Sequence, residues 1–219
     1  MIRTLSLAGA AAALAAATLT TSAGAAPGSP AAAPPEKITI DVVQVNGSGC
    51  RPGSASVAVS PDNTAFTITY SEYLAQVGKD AKATDFRKNC QLGLNVHVPQ
   101  GYTYAVTQAD YRGFASLAEG ASATQKASYY FQGMSDTARR SHSLSGHLQG
   151  DWQASDTVGI EALVFSPCGA QRNLNINTEL VVNAGTSDTA NTTSFVAMDS
   201  SDGSINTKYH FSWKVCPKR

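Results

Sequence analysis

The most telling feature of this 219-residue chain is what it does not contain. After residue 19 no apolar run approaches the roughly 20 residues that a membrane-spanning helix needs. No stretch carries the three-to-four-residue apolar period of a convincing amphipathic helix. Charge is scarce and balanced, with 16 basic and 16 acidic residues. A near-neutral protein without a basic stripe has no electrostatic hold on nucleic acid or on an anionic membrane surface. Gly-x-Ser-x-Gly, the strained turn that presents a hydrolase serine, is missing. No two cysteines are close in sequence, and no histidine pair completes a zinc set. The sequence therefore calls for no metal and no cofactor.

What is present begins with a targeting segment. Arg3 precedes an alanine- and leucine-rich run from Leu5 to Leu19, and Ala23-Gly24-Ala25 offers small residues for signal peptidase. We place cleavage after Ala25, which exports the chain and leaves no membrane attachment. Residues 26–37 form an Ala/Pro-rich leader with Pro27, Pro30, Pro34 and Pro35. Residues 38–219 then make one secreted domain of a length that sandwiches commonly reach undivided.

Four cysteines, Cys50, Cys90, Cys168 and Cys216, suit an oxidising compartment. Three pairings are open, and linking nearest neighbours along the chain favours Cys50 with Cys90 and Cys168 with Cys216.

Alternation of period two dominates the domain. Leu92, Leu94, Val96 and Val98 alternate with Gln91, Gly93, Asn95 and His97. After Pro99-Gln-Gly101, Tyr102, Tyr104 and Val106 resume the pattern, which predicts a hairpin. A second hairpin is expected from Ala55, Val57 and Val59 against Phe66, Ile68 and Tyr70. The final strand places Ile205, Thr207, Tyr209, Phe211, Trp213 and Val215 on one face. About ten such strands with turn residues between them predict an all-β antiparallel sandwich, jelly-roll-like; a closed barrel is the alternative.

Several motifs occur together: Asn46-Gly-Ser-Gly-Cys50, Arg87-Lys-Asn-Cys-Gln-Leu92, Val98-Pro-Gln-Gly101, Asp110-Tyr-Arg-Gly113, Tyr129-Tyr-Phe-Gln-Gly133, Ser166-Pro-Cys-Gly169 and Leu174-Asn-Ile-Asn177. In these the chain resembles the secreted family known as domain of unknown function 4360, over nearly all of its length after the leader. The resemblance implies secretion and a β fold. It brings no activity and no catalytic residues. The alanine-rich signal resembles bacterial ones.

Candidate sites follow from residue chemistry. Asn173, Asn175 and Asn177 should present three amides on one strand face, and with Gln91 and Asn95 they offer a polar surface for sugar hydroxyls. The same asparagines also suit an ordinary solvent-facing strand. Tyr111 and Arg112 could expose a cation beside a ring for recognition, or Arg112 could pair internally with Asp110 at a hairpin corner. Glu161 and Glu179 are the carboxylate pair that a glycosidase would need, unless both are simply solvent-exposed. Asp199-Ser-Ser-Asp202-Gly203 has calcium-loop residues that turns use equally. The four histidines, His97, His142, His147 and His210, lack ligand spacing.

The sequence thus predicts a non-catalytic extracellular module for a glycan, cell-wall polymer or protein. A polysaccharide hydrolase is one rival. An inhibitor- or toxin-like protein acting through the loop at residues 79–88 is another.

Overall fold

The computed structural model describes residues 31–135, 137–158, 164–198 and 206–217. The signal and most of the leader, Glu161, and the Asp199–Gly203 loop lie outside them. Among the described residues there are twelve strands, two more than the sequence predicts: β1 (Thr39–Asn46), β2 (Ala55–Val59), β3 (Ala65–Tyr70), β4 (Leu74–Gly78), β5 (Arg87–His97), β6 (Tyr102–Leu117), β7 (Ser122–Phe131), β8 (Ala138–Ser145), β9 (Leu148–Thr157), β10 (Leu174–Asn183), β11 (Thr193–Ala197) and β12 (Thr207–Val215).

They form two antiparallel sheets packed face to face. One has the order β1-β5-β10-β7-β8; the other runs β2-β3-β12-β6-β11-β4, with β9 on β6. Each sheet keeps free edges among the described residues, so the protein is a sandwich and not a closed barrel.

The core lies where the inward halves of the strand patterns meet. Leu92, Leu94, Ile176 and Leu180 from the first sheet face Phe66, Ile68, Tyr104 and Tyr209 from the second, all buried. Tyrosine rings take much of this space, and they bring hydroxyls that need partners. The Tyr73 hydroxyl donates across the sandwich to Thr178 Oγ1 at 3.0 Å. Phe66 stacks on Tyr209 with ring centroids 4.9 Å apart.

Both expected disulfides are formed. Cys50 joins Cys90 and Cys168 joins Cys216, with Cα separations of 5.3 and 5.9 Å, inside the range an unforced bridge uses. The first ties the segment after β1 to the middle of β5. The second ties the loop before β10 to the end of β12.

The structure corrects three local expectations. The β2–β3 hairpin forms as predicted, but β5 and β6 do not pair. They lie in opposite sheets, and Pro99-Gln-Gly101 carries the chain between layers. Alternation within a strand states which face is apolar, and it does not state which strand is the neighbour.

The second correction is a bulge. Along β12, His210 is opposite Gln108 while Phe211 is opposite Val106, so Thr107 is the extra residue of β6. A bulge reverses the facing of everything beyond it. Tyr104 and Tyr111 are therefore both buried although seven residues apart, while Gln108, Asp110 and Arg112 turn outward. Thirdly, Val215 at the end of β12 is exposed and not part of the inward row.

Candidate binding face

The outer face of the five-stranded sheet collects most of the residues singled out above. In β10, Leu174, Ile176, Thr178 and Leu180 point into the core, which turns Asn175, Asn177 and Glu179 outward, while Asn173 lies just ahead of the strand. The register sets Asn177 opposite Gln91 on one side and Ser128 on the other. Asn175 stands between Gly93 and Tyr130. Asn95 lies two residues along from Gly93 and opposite Asp41 of β1. Asn175, Asn177, Gln91 and Asn95 thus share one face, whereas Asn173, expected to complete the row, precedes β10 and lies outside its pairing. Asn175 is more covered than its place suggests, at 9% exposure, and its Nδ2 donates to Asn173 O at 3.5 Å. Asn177 Oδ1 is buried and has no hydrogen-bond donor among the described residues.

Next to the amides is a shallow groove of about 570 Å³ lined by Arg87, Asn89, Gln91, Lys126, Ser128, Arg139, Ser141, Asn177 and Glu179, among others. Glu179 is held there by two cations, with Lys126 Nζ 3.0 Å away and Arg87 in an ion pair. Burial by itself would raise its carboxyl pKa, but the hydrogen bonds from Lys126 and Arg87 prevail and hold it below the ordinary value. A glycosidase acid needs the reverse shift and a second carboxylate opposite. Among the described residues lining this groove Glu179 is the sole carboxylate, and Glu161 lies outside the described residues. At the far end of the face, His97 Nε2 stands 2.6 Å from Asp41 Oδ2.

Tyr111 and Arg112 do not form the expected recognition pair. Tyr111 is fully buried and Arg112 is exposed on the outer side of the other sheet. No Asp110–Arg112 ion pair occurs among the described residues either. Asp110 instead takes His210 Nε2 at 2.8 Å, Ser155 Oγ at 2.6 Å and Gln108 Nε2 at 2.9 Å. Burial works to raise the Asp110 pKa, and these partners, Ser155 first, bring it below the ordinary value. The Ser155 hydroxyl donates to the carboxylate and not to His210, so the trio does not make a base-activated nucleophile.

Tyr130, Ser128, Arg87, Lys126 and Arg139 are the functional candidates that sequence reasoning missed. Tyr130 and Ser128 had a signal, since they occupy the polar parity of a strand whose other parity is Ala127, Tyr129 and Phe131. The three cations had none, because they come from three strands that are distant in sequence. Among the described residues no three His, Cys, Asp or Glu side chains gather where they could hold a metal ion.

A family model matches residues 36–216 of the chain. The protein belongs to the family described as a domain of unknown function, DUF4360. An uncharacterised secreted protein of the fungus Arthroderma benhamiae is 36% identical over 185 residues, covering 84% of this chain and 74% of that protein. The protein is accordingly secreted to the outside of the cell. The relative is fungal, so the bacterial look of the signal finds no support in it. Among solved structures, the enzymatically active domain of tailspike protein 4 of bacteriophage CBA120 aligns with 82% of this chain at 8% identity and a TM-score of 0.24. The chain spans 19% of that one, and so slight a likeness carries no argument.

Proposed function

We propose that this secreted protein is a non-catalytic module that binds polysaccharide through the outer face of its five-stranded sheet. The observation that carries the reading is the cross-strand row Gln91–Asn177–Ser128, with Tyr130 beside it opposite Asn175. A sugar hydroxyl both donates and accepts, and a side-chain amide offers both functions in one planar group. A tyrosine adds an apolar surface for the C–H face of a pyranose. Residues on paired strands hold their spacing without ligand, which lowers the ordering cost of binding.

The test is retention of the mature protein on insoluble glycans and cell walls, with released sugar measured in the supernatant. Retention without release is expected, and Tyr130→Ala should weaken it about tenfold, a loss of roughly 1.4 kcal/mol. Release of soluble sugar would overturn the reading.

The turn at residues 79–86 supports a second reading, contact with a protein. Asp85 pins it: its Oδ2 accepts from Lys82 N at 3.0 Å and its Oδ1 lies 2.8 Å from Lys88 Nζ. This rigid turn presents Phe86 at 45% exposure. Retention on no glycan, with capture of a soluble protein that Phe86→Ala abolishes, would favour it.

A further inference from the structure

We infer that the polysaccharide bound on this face is acidic, a polymer carrying carboxylates at regular intervals, and that Arg87, Lys126 and Arg139 select it. This inference rests on the glycan-binding reading above and adds the chemical class of ligand.

The chain is neutral overall, yet the groove is not. It gathers Arg87 of β5, Lys126 of β7 and Arg139 of β8 around a lone carboxylate, Glu179. The depth of these groups matters more than their count. The Glu179 side chain is 16% exposed, while those of Arg87 and Lys126 are 55% and 52% exposed. The anion sits low between its partners and steadies them, and the cations project past it toward solvent. Arg139 is also exposed and has no ion-pair partner among the described residues. What a ligand meets is therefore a positive strip with the negative charge tucked beneath.

Spacing favours a polymer over a single small anion. Arg87 and Lys126 both reach the one carboxylate of Glu179, but Arg139 on β8 is three strands from Arg87 on β5, roughly 14 Å. No single carboxylate spans that distance, whereas successive residues of an extended polyuronate do. The groups between the cations, Asn89, Gln91, Asn177, Ser128 and Ser141, are uncharged hydrogen-bonding side chains. They match the hydroxyls that separate one carboxylate from the next along such a chain. Arginine adds a planar fork that fits a carboxylate in two-point geometry.

The experiment measures retention of the mature protein on three probes in parallel: polygalacturonate, the same polymer fully methyl-esterified, and neutral cellulose. Binding to polygalacturonate should exceed binding to its ester, and it should weaken as salt rises, because each contact releases counterions. Arg139→Glu should reduce retention on polygalacturonate about tenfold or more and leave the melting temperature unchanged, since this side chain is exposed. Lys126→Gln gives a milder loss in the same direction. Equal binding to the acid and the ester, insensitive to Arg139→Glu, would overturn the acidic assignment and leave the glycan-binding reading standing. Retention on none of the three would remove both.

Discussion

Tyr111, on the central strand β6, donates its hydroxyl to Asp156 Oδ2 at 2.9 Å, and His142 Nε2 stands 2.8 Å from the other carboxylate oxygen. This carboxylate lies between the sheets, with its side chain 4% exposed. Burial raises its pKa above the ordinary 3.8, against the opposing pull of His142 and Arg140. The sign of the consequence follows. From pH 3.8 upward to the raised value, the folded protein keeps a proton that the unfolded chain has released, so rising pH erodes stability across that window. Subtracting the unfolding free energy of Asp156→Asn from that of the parent isolates this contribution from other carboxylates. The difference should fall as pH rises from about 4, then level off. A difference that rises with pH would mean that His142 and Arg140 outweigh burial. Tyr111→Phe should cost about 1–3 kcal/mol in urea denaturation, because it leaves a buried carboxylate oxygen without its donor.

The two disulfides differ in access. Cys50 and Cys90 are each 1% exposed, whereas Cys168 is exposed and Cys216 half-buried. Thiol–disulfide exchange requires the attacking thiolate to reach sulfur. Mild reductant on the folded protein should therefore open Cys168–Cys216 first, with Cys50–Cys90 following only on unfolding. Alkylation followed by mass spectrometry reads the order directly. Cys50→Ser and Cys168→Ser should each cost about 2–5 kcal/mol, and the former should be the worse because it also disturbs close packing. Simultaneous opening of both bridges would contradict the assignment.

Where strands have one apolar face, the sequence was easy to read. Leu92 to Val96 in β5, Leu174 to Val182 in β10 and Thr207 to Trp213 in β12 announce themselves and point to the class, and the spacing of the four cysteines favours the pairing that the structure shows. β8 and β9 were hard for a physical reason. Their inward positions include Arg140, His142 and Asp156, a polar seam whose members satisfy one another, so this stretch shows no apolar alternation that would mark two strands. Tyr111 was misplaced because a bulge at Thr107 reverses β6, and no residue type announces a bulge. The amide row was legible within a single strand. The cationic groove was not, because Arg87, Lys126 and Arg139 meet only once the pairing of β5, β10, β7 and β8 is known.

That groove allows a prediction that separates stability from binding at one residue. Glu179 is ionised in the folded state at a pKa below its ordinary 4.5, so its contribution to stability is present above that value and is lost as pH falls through the folded one. The cations it meets are half exposed, which limits the pair to at most about 1 kcal/mol. Glu179→Gln should therefore lower the unfolding free energy at neutral pH by no more than about that amount and remove the corresponding acid sensitivity. The same substitution takes the negative charge out of the strip and frees Arg87 and Lys126 to meet a ligand. Binding to polygalacturonate at low salt should rise, by about threefold to tenfold, while binding to the methyl-esterified polymer stays constant. Weaker binding to the acidic polymer would show that Glu179 matters more for holding the two cations in position than for the charge it subtracts. A drop on both polymers would instead make Glu179 a direct hydrogen-bonding partner of sugar hydroxyls.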